Sequence, residues 1–474
     1  MPAMGRERHD LKCMAAVFLV ALTLRLVLVL LTIDLGIALD DMFQYDALAE
    51  SIRLGQGFTW YGGIPTAARA PLYALFLAVI YTPFGRSFAA ARIAQALLGS
   101  LLPLLAYGVG RRLFDERASV IASWVVALYP MFLLYPLGLA TENLFFLLVP
   151  LTALCLMRAA ETSSGLRYML SGVLLGLTIL TRSVIGGFLA LILPWMWYYT
   201  ASKREAIKNW LLILLPVLAL TIPWSIRNSL LYGRPVFVES SLGFNLYLGY
   251  HPEGSGTFDS DIAVAFLQRV GAFDAPSLET EKTADELGMR EGLQFAREDP
   301  ARAAWLLLSK LSHFLRLDKR VLLYFYSNNF LGELPSHILA LIFLVICLPW
   351  VVVLLLSVPG MMLSDLTRDR ALVYLLCAYL VGIHVVIMAE PRFHLVMVPM
   401  LAVFAAHGAM IWSRVRSDFN SADEGLRRST RWRVMLTTVV VALLLVNWSY
   451  ELISDLDKLR LLFSPGGNLA RFTY

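Results

Sequence analysis

Runs of roughly 20 apolar residues recur almost from end to end of this chain, and each is long enough to cross the hydrocarbon core of a bilayer as a helix. No other feature constrains the fold as tightly, because backbone amides in hydrocarbon must find their partners within the segment itself. We read about eleven spans, with a range of about 10 to 13. They lie near residues 12–33, 88–110, 118–138, 141–158, 167–181, 184–200, 210–230, 336–358, 371–389, 393–412 and 433–451. Composition agrees: 58% of the 474 residues are apolar and 16% are charged, against about half and a quarter in a soluble domain. The expected fold is all-α and polytopic, one helical membrane domain without a repeat of fixed period or a low-complexity tract. The first run is too long for a signal-peptide core and lacks a small-residue cleavage site, so it is expected to stay as the first helix.

Charge orients the bundle. The net charge of +5 is spread in short clusters between apolar runs, with no basic patch interleaved with aromatics, so nucleic acid is not an expected partner. Clusters at Arg111, Arg112 and Arg117, at Lys203, Arg204 and Lys208, and at Arg414, Arg416, Arg427, Arg428, Arg431 and Arg433 mark cytoplasmic loops, with the amino terminus inside. Residues 34–70 hold Asp34, Asp40, Asp41, Asp46 and Glu50 against Arg53 and Arg69 and belong outside, with residues 41–54 and 71–84 as juxtamembrane helices. The expected organisation is a cytoplasmic terminus and first span at 1–33, an outer loop with juxtamembrane helices at 34–87 and a helical core at 88–230. A large outer loop with an interfacial helix follows at 231–335, then spans at 336–451 and a short outer tail at 452–474. Cys13, Cys155, Cys347 and Cys377 show neither pairing nor metal-ligand spacing, so no disulfide, zinc site or other metal is expected.

Charged residues inside or beside spans cost roughly 2.5 to 3.5 kcal/mol to insert and therefore point to function. Asp40, Asp41, Glu142, Arg69, Arg182, Glu390 and Arg392 all fall near outer helix ends. A helix starting near Asp41 places Asp41 and Tyr45 on one face, although a first-turn carboxylate with Asp40 as N-cap is an equally good account. Pro71 suits the first turn of a helix whose positive end would aim Arg69 at an anion. Taken singly, Arg69, Arg182 and Arg392 read best as headgroup contacts, and Glu142 as a first-turn carboxylate. Three arginines around one cavity fit phosphate better than three separate headgroup contacts do. Arg25, within the first span, is expected to snorkel or to pair inside the bundle. His394 reads as a packing histidine. Asn245 and Tyr247 are candidates for hydrogen bonding to or stacking on a sugar, with a structural turn fitting them at least as well.

At this point the motifs carry a family likeness. Asp41 with Tyr45, Arg69-Ala70-Pro71-Leu72-Tyr73, Leu139-Ala140-Thr141-Glu142, Leu180-Thr181-Arg182, Arg227-Asn228 with Tyr232-Gly233, and Pro391-Arg392-Phe393 occur in a telling order. The chain resembles the membrane glycosyltransferases of the glycosyltransferase C superfamily, related to dolichyl-phosphate-mannose protein mannosyltransferases and lipid A aminoarabinose transferases. The resemblance implies inverting transfer from a polyprenyl-phosphate-linked sugar at the outer face of a bacterial inner membrane. Asp41 matches the general base, with Asp40 the alternative because the acid precedes Asp41 here rather than following it. Glu142 stands where relatives carry a second acid, usually Asp. Arg69, Arg182 and Arg392 would hold the donor phosphate, with Tyr45, Asn245 and Tyr247 around the substrates and no cofactor or metal. The expected partners are membrane lipid, the lipid-linked sugar and an acceptor that is a protein, glycolipid or polysaccharide. A transporter or lipid flippase is the rival, and it would gather its charges near the midplane rather than at one face.

Overall fold

A computed structural model describes residues 2–34, 36–37, 40–60, 62–319 and 334–463, with the side chains of residues 2–9, 40 and 461 outside that description. Helix α1 (Pro2–Leu31) carries the first apolar run. Helices α2 (Asp40–Arg53) and α3 (Pro71–Phe84) follow, joined by a turn-rich stretch in which Thr59 bridges Pro65. Helices α4 (Phe88–Gly99) and α5 (Leu102–Leu113) run on as one apolar stretch. Helix α6 (Glu116–Leu128) meets α7 (Pro130–Leu134) at a 50° bend, so the continuous span expected over 118–138 is broken. Pro130 offers no amide proton and holds Tyr129 extended, at φ −66° and ψ 118°.

Helices α8 (Glu142–Thr162), α9 (Gly165–Thr181), α10 (Phe188–Tyr199) and α11 (Lys203–Tyr232) complete the first half. Between α9 and α10 the chain extends at Arg182 and tightens into a 3-10 turn at Ser183–Ile185, the break expected at Thr181 and Arg182. Gly233 closes α11 in the left-handed region at φ 69°, where a side chain would be strained. Helices α12 (Leu242–Tyr250), α13 (Ser260–Arg269), α14 (Leu278–Glu298) and α15 (Pro300–Phe314) build a separate loop layer. Then come α16 (Ser336–Met362), α17 (Arg368–Val386), a 3-10 segment at Pro391–Met397, α18 (Val398–Met410), α19 (Trp412–Phe419), α20 (Glu424–Ser454) and α21 (Leu456–Phe463).

Among the described residues there is no strand, and eight helices are long and apolar enough to cross a membrane. The bent α6–α7 pair adds a ninth, and α3, α9 and Ser183–Tyr199 are apolar but shorter. Packing confirms what surrounds them. Leu30, Leu31, Val79, Leu215, Leu230 and Leu443 point outward, whereas Ser119, Ser123, Ser171, Thr178 and Thr221 are buried between helices. Buried hydroxyls close on their own helix: Ser171 Oγ donates to the Arg167 carbonyl at 2.8 Å and Thr178 Oγ1 to that of Leu174 at 2.6 Å. Small residues then let backbones touch, since a Cβ on Gly172 would collide with the Ile213 carbonyl, and one on Gly408 with that of Leu356. An apolar exterior over a small-residue interior suits lipid as the outer solvent, and the chain is an integral membrane protein.

The stretch between α2 and α3 is tied down from two directions. Arg227 of α11 donates to the Thr66 carbonyl and, at 3.1 Å, to that of Phe58, and its guanidinium lies 4.9 Å from the Trp224 ring. Glu281 of α14 accepts from Trp60 Nε1 at 3.0 Å, Thr66 Oγ1 at 2.7 Å, the Ala67 amide at 3.1 Å and the Tyr232 hydroxyl. The loop layer therefore grips the same segment that presents Arg69.

Candidate active site

Four helix ends converge beneath this clamp: the starts of α2 and α8, the end of α9, and the start of the 3-10 segment before α18. Each supplies one charged side chain, because a helix end is where such a group can leave the apolar packing. Asp41, in the first turn of α2, accepts from Arg69 Nη2 at 3.0 Å and lies 3.6 Å from Arg392 Nη2. Arg69 Nε donates to Gln44 at 2.8 Å, so α2 holds this guanidinium through two residues three positions apart on one face. Glu142, at the start of α8 and 7% exposed, accepts from Arg182 Nη1 at 2.7 Å. The two ion pairs share an aromatic floor, with Arg182 and Arg392 lying 5.2 Å and 5.6 Å from the Phe393 ring.

The cluster has spare capacity at two points. The Asp41 side chain is 43% exposed, and the Arg392 Nε is buried without a hydrogen-bond partner. Burial pushes the Asp41 carboxyl up, but the guanidinium groups of Arg69, Arg392 and Arg182 more than reverse this, leaving it below the usual carboxylate range. An ionised carboxylate facing solvent beside an under-used guanidinium can accept a proton on one side and hold an anion on the other.

Tyr45 lies one turn after Asp41 and is buried edge-on against Tyr73, with ring centroids 5.2 Å apart. Burial pushes its hydroxyl pKa up, so it stays protonated and keeps a proton to donate. The backbone of Asp40 opens α2, and its side chain lies outside the described residues. Asn245 and Tyr247 are not brought to this centre. Tyr247 is 5% exposed and packs 4.1 Å from the Phe266 ring inside the loop layer, so its faces are already covered. Asn245, on the same helix, makes no side-chain hydrogen bond among the described residues. His394 is a packing residue, stacked 3.6 Å from the Trp350 ring with Nδ1 2.8 Å from the Phe314 carbonyl.

Glu239 is the site residue that sequence reasoning missed. Its Oε2 accepts from the Ala70 amide at 3.2 Å, and its Oε1 accepts from the Ser183 amide at 3.2 Å and the Ser183 hydroxyl at 2.5 Å. These are the amides directly after Arg69 and Arg182, so one carboxylate fixes both arginine-bearing turns. The positive end of α3, expected to be open to a ligand anion, is therefore taken by an internal carboxylate. The available signal was an acid closing the otherwise apolar run Val236-Phe237-Val238.

Residues 68–226 match the family model described as dolichyl-phosphate-mannose-protein mannosyltransferase. That stretch is about a third of the chain and holds Arg69, Glu142 and Arg182 but neither Asp41 nor Arg392. No curated protein matches the sequence. Among solved structures, the oligosaccharyltransferase AglB from Archaeoglobus fulgidus, in complex with an inhibitory peptide and a dolichol-phosphate, superposes with a TM-score of 0.51. It is 13% identical, and the match covers 99% of this chain and 60% of that one. The apo form of the Archaeoglobus fulgidus oligosaccharyltransferase gives 0.52 at 12% identity, covering 98% and 60%. ArnT from Cupriavidus metallidurans bound to undecaprenyl phosphate reaches only 0.39 at 14% identity, over 88% and 80%, an overlap that carries no argument. This chain spans about 60% of the length of the archaeal enzyme, and at such identities the likeness is one of fold. The chain is thus a polytopic membrane protein whose fold resembles that of the archaeal oligosaccharyltransferase and which carries a segment similar to the mannosyltransferases.

Proposed function

We propose that this protein is an inverting glycosyltransferase that moves a sugar from a polyprenyl-phosphate donor to a hydroxyl acceptor at the outer face of the membrane. The observation that carries the reading is Asp41, ionised, part-exposed and set between Arg69 and Arg392 with the Arg182–Glu142 pair alongside. Asp41 accepts the acceptor's proton as its oxygen attacks the anomeric carbon. The bond from that carbon to the phosphate oxygen breaks, and the charge that appears on the polyprenyl phosphate is taken up by guanidinium groups. Arg392 is the foremost of these, because its Nε has no partner to give up. A monophosphate leaving group is matched by such donors, so the reading calls for no metal.

The family description names a dolichyl-phosphate-linked mannose, and AglB is seen with a dolichol-phosphate; both support a lipid-linked donor. That the charges of this cluster sit at helix ends favours transfer over transport. The orientation is supported by the basic clusters around α5–α6, α10–α11 and α19–α20, which favour the cytoplasm for that end of the bundle and the outside for the end that holds the site. The test is transfer by purified protein in detergent with a panel of polyprenyl-phosphate sugars and envelope acceptors, comparing wild type with Asp41→Asn. Transfer or donor hydrolysis that disappears in the folded variant supports the reading. Full activity in Asp41→Asn removes Asp41 as the base, and a silent wild type across the panel turns the reading toward transport.

A further inference from the structure

Stacking on Trp350 accounts for the ring face of His394 but not for its second nitrogen. Nδ1 faces the Phe314 carbonyl at 2.8 Å, and a carbonyl can only accept, so Nδ1 carries a proton. Nε2 then faces Oδ1 of Asp318, in the turn after α15, at 3.4 Å, and neither Nε2 nor Asp318 Oδ2 has a hydrogen-bond partner. Both side chains are buried. A neutral ring would set its lone pair against a buried carboxylate, so the contact is attractive only with a proton held between the two groups. The neighbouring cations are taken up elsewhere: Lys319 lies 2.7 Å from Glu451 and also pairs with Asp455, which Lys458 approaches to 3.8 Å. Among the described residues, His394 is the one basic group within ion-pair distance of Asp318. The Trp350 ring, parallel to the imidazole with centroids 3.6 Å apart, suits a cationic face.

This pair sits where the least tethered arginine of the site takes its position. Arg69 donates to Gln44 and Asp41, and Arg182 to Glu142, whereas the ionic contact of Arg392 is a 3.6 Å approach to Asp41 and its Nε is buried without a partner. The placement of Arg392 therefore comes from the backbone of the Pro391–Met397 segment, which is pinned on both sides of it. Glu390 accepts from the Phe258 amide at 2.8 Å, and His394 joins Phe314 and Asp318. The end of α15 is itself fixed, because the Leu315 carbonyl accepts from Trp448 Nε1 at 2.8 Å and from Trp350 Nε1 at 3.3 Å. We propose that Asp318, acting through His394, is a positioning residue for sugar transfer that sets Arg392 against the leaving phosphate. The proposal rests on the transfer reading and adds to it a residue outside the charged centre.

Arg392 meets charge that appears only as the bond to phosphate breaks, so displacing it should lower kcat rather than raise the donor KM. The test measures initial rates of the full-length protein in detergent, with the polyprenyl-phosphate sugar that wild type turns over. Asp318→Ala should lower kcat by about 10-fold or more while the donor KM stays within about 3-fold of wild type. In an Arg392→Gln background the same substitution should change kcat by less than about 2-fold, because the group it positions is gone. A folded Asp318→Ala with wild-type kcat, or an equal loss in both backgrounds, overturns the proposal. Should Asp318→Ala fail to fold, His394→Gln is read in the same way, and if that variant also fails to fold, the pair serves stability and the positioning role is withdrawn. A wild type that turns over no donor defeats the transfer reading itself, whereas transfer that ignores Asp318 defeats only this inference.

Discussion

Asp41 carries two electrostatic loads that oppose each other, and their balance makes a testable statement about pH. Burial favours its neutral form, the surrounding arginines favour the carboxylate, and the arginines win. A carboxyl whose pKa is lowered on folding contributes stability above its unfolded value, near about 3.9, and loses it as pH falls through the lower folded value. On the proposed reading Asp41 is therefore ionised at neutral pH. We expect kcat/KM for transfer to show no acid limb from pH 8 down to about pH 5, and an apparent pKa between about 5 and 7 would point to another base. Asp41→Asn should lower transfer by about 10²- to 10⁴-fold in a protein that still folds, with a modestly lower unfolding midpoint in detergent because the ion pairs with Arg69 and Arg392 are lost. The motif itself put Asp41, Arg69, Arg182 and Arg392 in view, because charges at the edges of apolar runs stand out. The pairing Asp41–Arg69 rather than, say, Asp41–Arg182 was beyond reach, since it depends on which helix ends meet.

At the scale of elements, two devices hold the site together. Glu239 bridges the start of α3 and the turn after α9, satisfying one amide beside each arginine. Glu239→Gln keeps a single acceptor oxygen, so one of those buried amides is stranded at a cost of about 1–3 kcal/mol. The expected kinetic signature is a raised KM for the lipid donor with a smaller change in kcat, because the arginines are loosened while Asp41 stays in place. The second device is backbone contact at glycines. On α18 a Cβ at Gly408 meets the Leu356 carbonyl, and on α16 one at Gly360 meets that of Phe404. Gly408→Val should cost about 1–3 kcal/mol or more by forcing the helices apart, read as a lower unfolding midpoint and loss of a monodisperse peak. The sequence offers these glycines without saying which helix each one faces.

For the whole molecule, the loop layer α12–α15 is fixed to the first loop through Glu281, while basic clusters gather on the connections at the other end of the bundle. The orientation proposed from that asymmetry can be measured directly. In a background with Cys13 and Cys155 replaced by serine, Ser277→Cys should label with a membrane-impermeant reagent from outside the cell. Ser421→Cys should label only after the membrane is opened. The reverse pattern would place the Asp41 centre on the cytoplasmic side.

Length and composition of the apolar runs by themselves determined that this chain is a helical membrane bundle, since hydrocarbon leaves the backbone no alternative. They also located the break at Thr181 and Arg182, but not the bend at Pro130. Only the tertiary structure decided which charges share a centre, that Tyr247 belongs to the packing of the loop layer, and that Glu239 rather than a ligand occupies the positive end of α3. Those outcomes depend on contacts between residues tens to hundreds of positions apart, fixed by how close two backbones approach, and local sequence carries no record of that distance.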